Sequence, residues 1–260
     1  MSAPAIDLAP PKPGIIERLQ GNPWIGVVGP PIGIGLFGLL SYWAVTSAEL
    51  STVELTILDP TKIWAQLLEH LNITFWSTLV VLVVAIPLGI LLTRPRFSRW
   101  EEPVLSVANA GQAFPAYGLI IIFFIWLGRG ATTAIWALAF YALLPVLRNT
   151  IVGIQQVNPA IIEAGRGMGM SKMTALRKIE LPLAVPVMMA GVRTALIINV
   201  GMATLVFLIG AGGLGVTIKS GLDLNRPIAV FAGAAIVGVV ALTIDWAAAM
   251  VYRYVRPKGL

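Results

Sequence analysis

An all-α, polytopic membrane protein with six transmembrane helices and a cytoplasmic helix-turn-helix is the fold class the sequence predicts, on three observations. Only 12% of the 260 residues are Asp, Glu, Lys or Arg, about half the share of a soluble domain, so the chain cannot cover a globule with charge. Hydrophobic residues make up 57% and the mean hydropathy is +0.86, with several apolar runs longer than the roughly 18 residues that mark a transmembrane candidate. The basic residues fall in alternate connections between those runs, the pattern that orients a membrane protein.

The spans follow in order. The first, 24–45, carries Pro30 and Pro31 near its start, which predicts a kink or a later beginning. Residues 73–93 form the second and 104–127 the third. The fourth, 131–147, is the shortest and is expected to continue toward Gly153. The fifth runs over 182–210 and the sixth over 228–252, each long enough for a hydrocarbon core of about 30 Å at 1.5 Å per residue. The first 23 residues, with Pro10, Pro11, Pro13 and charges, do not resemble a cleavable signal.

Orientation follows from the basic residues. Lys12, Arg18, Arg94, Arg96, Arg99, Arg148, Arg166, Lys172, Arg177, Lys178, Arg253, Arg256 and Lys258 fall on one side, against Lys62, Arg129, Lys219 and Arg226 on the other. Basic connections stay in the cytoplasm, so both termini are expected there. The net charge of +6 therefore reads as topology, and no nucleic-acid partner is expected. Zero cysteines exclude disulfides, thiolate metal sites and cysteine nucleophiles. A single histidine excludes a two-imidazole metalloprotease motif. The stretch from Gly213 to Ser220 nearly spells a phosphate-binding loop but has Ile218 where the second Gly belongs. Gly210, Gly212 and Gly215 spell G-x-G-x-x-G after a membrane helix, not a strand, and read as a close-packed outer turn. No cofactor is expected.

The longest cytoplasmic connection, 148–181, is the most informative. Asn158 and Pro159 open a helix through Glu163; Gly165, Gly167 and Gly169 break it; Ser171 caps a second helix over 172–180, expected to stop at Leu181 because Pro182 disfavours helical geometry in the residue before it. Glu163, Ala164, Gly165, Gly169, Ile179, Leu181 and Pro182 resemble, at the right spacing, the E-A-A…G…I-x-L-P cytoplasmic loop of ABC importer permeases. The departure is Gly165 where that family has Ala, expected to weaken the helix by about 1 kcal/mol and loosen it. Strings around Gln112–Pro115, Leu144–Thr150, Met189–Ala195 and Leu208–Gly215 are similar to the glycine betaine, carnitine and choline permeases. Methionine, sulfonate and nitrate importers share parts of them.

That resemblance implies a cytoplasmic segment over 1–23, an additional first helix over 24–45, a five-helix permease core over 67–254 with its coupling loop at 158–182, and a tail over 255–260. It implies a bacterial inner-membrane location, cytosolic ABC ATPase subunits that hydrolyse the ATP, a second permease subunit, and an extracytoplasmic substrate-binding protein. The implied function is ATP-driven import of a glycine betaine or choline type osmoprotectant; the alternative is a related importer for an amino acid or sulfonate. An ion-coupled carrier would need several intramembrane acids, and an intramembrane enzyme clustered reactive groups. Only Arg193 and Asp245 are charged within spans. At similar depth they either pair, or Arg193 lines the translocation path, or each reaches the interface separately. Ser106, Asn109 and Gln112 recur at i, i+3, i+6, either as path-lining groups or as interhelical bonds; Asn199 poses the same choice. Phe123, Phe124, Trp126, Trp136, Phe140 and Tyr141 either cage a quaternary ammonium or serve packing and interface belts.

Overall fold

The computed structural model describes residues 25–255, so the segment 1–23, the first residue of the expected first span and the tail from 256 on lie outside it. The helices are α1 (Ile25–Thr46), α2 (Thr52–Ile57), α3 (Pro60–Leu92), α4 (Glu101–Ala113), α5 (Ala116–Leu127), α6 (Ala131–Gln155), α7 (Pro159–Gly167), α8 (Lys172–Ala175), α9 (Leu181–Met202), α10 (Gly215–Asp223) and α11 (Pro227–Val255). Five are long and apolar enough to cross a membrane, and the bent pair α4–α5 makes a sixth span if counted as one. The chain is thus an all-α, multi-pass membrane protein.

Local chemistry sets most boundaries. Ser51 caps α2 in a reciprocal box with Glu54. Asp59 accepts from the N–H groups of Thr61 and Lys62, with Pro60 as first helical residue, and so starts α3 thirteen residues before the expected second span. That early start was hidden because Lys62, Glu69 and His70 interrupt the apolar run.

The expected third span is not straight. Phe114 takes an extended conformation (ψ 141°) ahead of Pro115, as the clash with a following proline ring demands, and α4 and α5 meet at 105°. The same rule fails at Leu181. The chain there stays helical from Lys172 to Met202, passing through a π-turn at Leu176–Glu180 in which Leu181 N–H donates to Leu176 O. The wider turn accommodates Pro182, which sits in the first turn of α9, where its missing N–H is least costly. The fifth span ends at Met202, not Gly210. A 3₁₀ turn (Val206–Ile209) and Gly210 in the left-handed region (φ 70°) then redirect the chain into α10, which periodicity did not foresee.

Helix α6 is the hub, packed by α3, α4, α5 and α9. Ala137, Leu138, Ala142, Val146 and Leu147 on it are fully buried. Small residues permit these approaches: a Cβ at Gly191 would stand 2.5 Å from Pro145 O, and one at Gly89 2.8 Å from Thr150. Helix α1 is peripheral and packs mainly on α11, where Trp246 donates to Val27 O at 3.1 Å. It runs through Pro30 and Pro31 without a break in the helix.

Candidate functional site

One end of the bundle carries α7, α8 and the π-turn. Asn158 Oδ1 caps α7 by accepting from Ala160 N–H at 2.9 Å. The helix ends in a Schellman turn: Gly169 (φ 90°) donates to Arg166 O at 2.9 Å and Met170 to Gly165 O at 3.2 Å. The left-handed φ, not crowding, is what requires glycine at 169, since a Cβ there would meet nothing within 4 Å. Ser171 then caps α8.

Gly165 does not loosen the hairpin as its propensity suggested. It is buried, and the Ile179 side chain occupies the space a Cβ would need. The glycine therefore lets α7 lie close against the π-turn, and packing offsets its backbone entropy. Glu163 and Ala164 are exposed, as are the large apolar side chains of Ile161, Met168 and Met173.

An ion pair that the sequence did not single out joins this hairpin to α3. Arg94 donates to Glu180 through both terminal nitrogens, at 2.5 and 3.3 Å, and Glu180 is only 6% exposed. Bidentate geometry of this kind fixes orientation as well as charge. The Arg94 guanidinium thus locks the π-turn to the end of a span, at the residue immediately before Leu181 and Pro182.

Ser106, Asn109 and Gln112 do not act as one stripe. Ser106 and Asn109 are exposed and line a polar pocket of about 420 Å³ with Glu102, Leu105, Leu144 and Arg148. Gln112 turns away and donates to Tyr141 O at 3.0 Å, tying α4 to α6. Asn199 is fully buried. With its amide oriented so that nitrogen donates to Leu138 O (3.2 Å), its oxygen accepts from Thr78 Oγ1 (2.9 Å), which bridges α3, α6 and α9. A larger groove of about 650 Å³ lies between α1, α2, α3 and α11, with apolar walls such as Leu55, Leu67 and Val239.

Arg193 and Asp245 meet. Arg193 Nε donates to Asp245 Oδ1 at 2.9 Å and its NH2 group to Oδ2 at 2.8 Å, a two-pronged bond between α9 and α11. Their side chains are 38% and 29% exposed. Of the aromatics, Phe123 and Phe140 stack at 5.9 Å, whereas Phe124, Trp126 and Trp136 are exposed. They are not gathered into a cage.

The opposite end holds the glycine turn. Glu69 of α3 accepts from Gly213 N–H at 2.8 Å, and Thr217 donates to Gln66 at 2.6 Å. His70 is buried, its Nε2 donating to Val200 O at 3.1 Å. Gly212 (φ 80°) takes a conformation that side chains rarely adopt, and the Glu69 carboxylate fills the space a Cβ would need. In α2, the Glu54 carboxyl is held below the usual range, first by the Ser51 hydroxyl, then by Ser51 N–H, and further by the Arg226 charge.

Residues 85–257 match the family of binding-protein-dependent transport system inner membrane components. The chain is 42% identical over 192 residues to the glycine betaine/carnitine/choline transport system permease protein OpuCB of Bacillus subtilis, covering 74% of this chain and 88% of the relative. It is 41% identical to the osmoprotectant import permease protein OsmY of Salmonella typhimurium, covering 73% and 80%. The fold superposes with a TM-score of 0.66 on a chain of the MetNI methionine ABC transporter in an inward-facing conformation, at 24% identity, covering 76% of this chain and 99% of that one.

Proposed function

The chain belongs to the family of binding-protein-dependent transport system inner membrane components, and from that membership we propose that it imports a small zwitterionic or quaternary-ammonium osmoprotectant. It does so as one of two permease subunits, with cytosolic ATPase subunits supplying the work and an extracytoplasmic binding protein delivering the solute. The solute class is supported by relatives near 40% identity that are named for glycine betaine, carnitine, choline or osmoprotectant transport. The likeness to the methionine transporter speaks for the fold alone.

The observation that carries the coupling reading is the hairpin. Ile161, Met168 and Met173 present apolar surface beyond the bundle end, flanked by Glu163 and Arg166, and surface of this kind at one place suits a protein partner. The hairpin is joined to α9 without a break in helix, so a push on α7 or α8 is delivered to a span. Glu163, Ala164, Gly165, Gly169, Ile179, Leu181 and Pro182 form that coupling element. The basic connections support placing it, with both termini, on the cytoplasmic side of a bacterial inner membrane.

Two experiments test this. Single cysteines at Ser98 and Ser47, both exposed, are expected to react oppositely with a membrane-impermeant thiol reagent applied to intact cells; equal labelling from outside refutes the orientation. Purification of the chain in mild detergent is expected to bring an ABC ATPase with it. Isolation of a complex without one refutes the importer reading.

A further inference from the structure

The pocket between α4 and α6 holds a chemical combination that the fold does not need. Glu102 and Arg148 both line it, with Ser106 and Asn109 between them and Leu105 and Leu144 as its apolar walls. Arg148 precedes the end of α6 by seven residues and Glu102 stands in the first turn of α4. The pocket therefore opens about 10 Å from the end of the bundle that carries the hairpin. Neither charged group makes an ion pair or a hydrogen bond through its side chain with the described residues, whereas the neighbouring Glu101 accepts from Gln155 at 3.0 Å. Both side chains are exposed, and an unpaired cation and anion facing one cavity present two opposite charges to a ligand that carries both.

We propose that this pocket is an exit subsite that holds a zwitterion carrying a quaternary ammonium and a carboxylate. The inference rests on the importer reading and adds to it the place and the groups that engage the solute. A quaternary ammonium has no N–H to donate. It is recognised by charge and by apolar contact with its methyls, which Glu102 with Leu105 and Leu144 supplies. The carboxylate takes the two-pronged donation that a guanidinium offers, and the Asn109 amide and Ser106 hydroxyl add neutral donors. A volume near 420 Å³ falls within the range of small-molecule sites, about 300 to 1,000 Å³, and leaves room for water beside a solute of this size. Because the groups are exposed and few, binding is weak, as release into the cytoplasm requires.

The test uses the whole complex, with ATPase and binding protein, in proteoliposomes carrying labelled glycine betaine or labelled choline. Arg148→Gln is expected to lower betaine uptake about tenfold, the size of one lost charge-assisted contact, and Arg148→Lys, which restores the charge but not the two-pronged donation, to recover only part of it. Choline lacks the carboxylate, so Arg148→Gln is expected to change its uptake less than twofold. Glu102→Gln is expected to slow both solutes. Size-exclusion chromatography is expected to show the permease pair and its ATPase intact in every variant. Equal losses for betaine and choline on Arg148→Gln overturn the proposal, and so does no loss at all. Dissociation of the permease pair also overturns it, by making the pocket a subunit contact. An unaltered complex that carries choline but not betaine overturns the zwitterion assignment. One that carries neither removes the osmoprotectant reading itself, so the two failures are distinguishable.

Discussion

Replacing Arg193 by Ala removes both hydrogen bonds to Asp245, at 2.9 and 2.8 Å, and leaves a carboxylate between α9 and α11 without its cation. A fully buried pair broken from one side costs about 3 to 5 kcal/mol, and a fully exposed pair contributes at most about 1 kcal/mol. With side chains 38% and 29% exposed, this pair sits between those limits, and about 2 kcal/mol is the expected cost of Arg193→Ala. Asp245→Ala leaves the longer, more easily solvated cation, which reaches water by extending its stem, so about 1 kcal/mol is expected. The double variant is expected to lie near the worse single one, not at the sum, giving a coupling of about 1 kcal/mol. The assay is thermal unfolding of the four proteins in one detergent, with folded fraction followed by fluorescence-detected size exclusion. Strictly additive shifts would refute the reasoning, because they would mean that the two groups do not act on each other.

Three further outcomes follow from the packing and the charges. Gly191→Val drives a branched side chain into the Pro145 carbonyl, where even a Cβ would be 2.5 Å away; a loss of about 1 to 3 kcal/mol is expected in thermal unfolding, and wild-type stability would show that α6 and α9 do not meet there. Arg94→Gln strips the buried Glu180 of its cation and is expected to cost about 2 kcal/mol and to reduce uptake without releasing the ATPase; unchanged stability and uptake would show that the pair positions nothing. Glu54 has its carboxyl pKa lowered by Ser51, so its contribution to stability is present above the ordinary carboxylate range and is lost as pH falls through the lowered value. The difference in Tm between the native chain and Glu54→Gln is therefore expected to narrow toward acid pH, and a constant difference would contradict the capping role.

What was legible in the sequence was set by strong, local signals. Long apolar runs placed five of the six spans, and the capping chemistry of Asn158, Pro159 and Ser171 marked the starts of the hairpin helices correctly. The residue before a proline was a less dependable guide, and the two cases differ for a physical reason. At Phe114–Pro115 the helix breaks, and the two halves join different core clusters, Ala108 with Ala142 and Ile120 with Ala134 and Leu138. At Leu181–Pro182 the π-turn and the Arg94–Glu180 bond hold the chain in a helix. Neither partner of that bond is near the other in sequence, so local rules had no access to it. The same holds for Gly165, whose penalty as a helix residue was visible while the Ile179 side chain that fills its space was not. Polar spacing on α4 grouped Gln112 with Ser106 and Asn109, but a helix face spans more than one neighbour, and Tyr141 captured the first of the three. Arg193 and Asp245 were found by depth alone because charges are so sparse within spans that similar depth is informative.

The most direct test of the account is solute transported per ATP hydrolysed, measured in proteoliposomes that contain this chain, its ATPase and its binding protein. Uptake of glycine betaine is expected to require ATP and the binding protein. Glu163→Lys on the exposed face of α7 and Gly169→Val at the φ 90° turn are both expected to leave the helices inserted while lowering uptake per ATP or releasing the ATPase. Normal attachment and normal stoichiometry in both variants would contradict the claim that the hairpin couples ATP hydrolysis to transport.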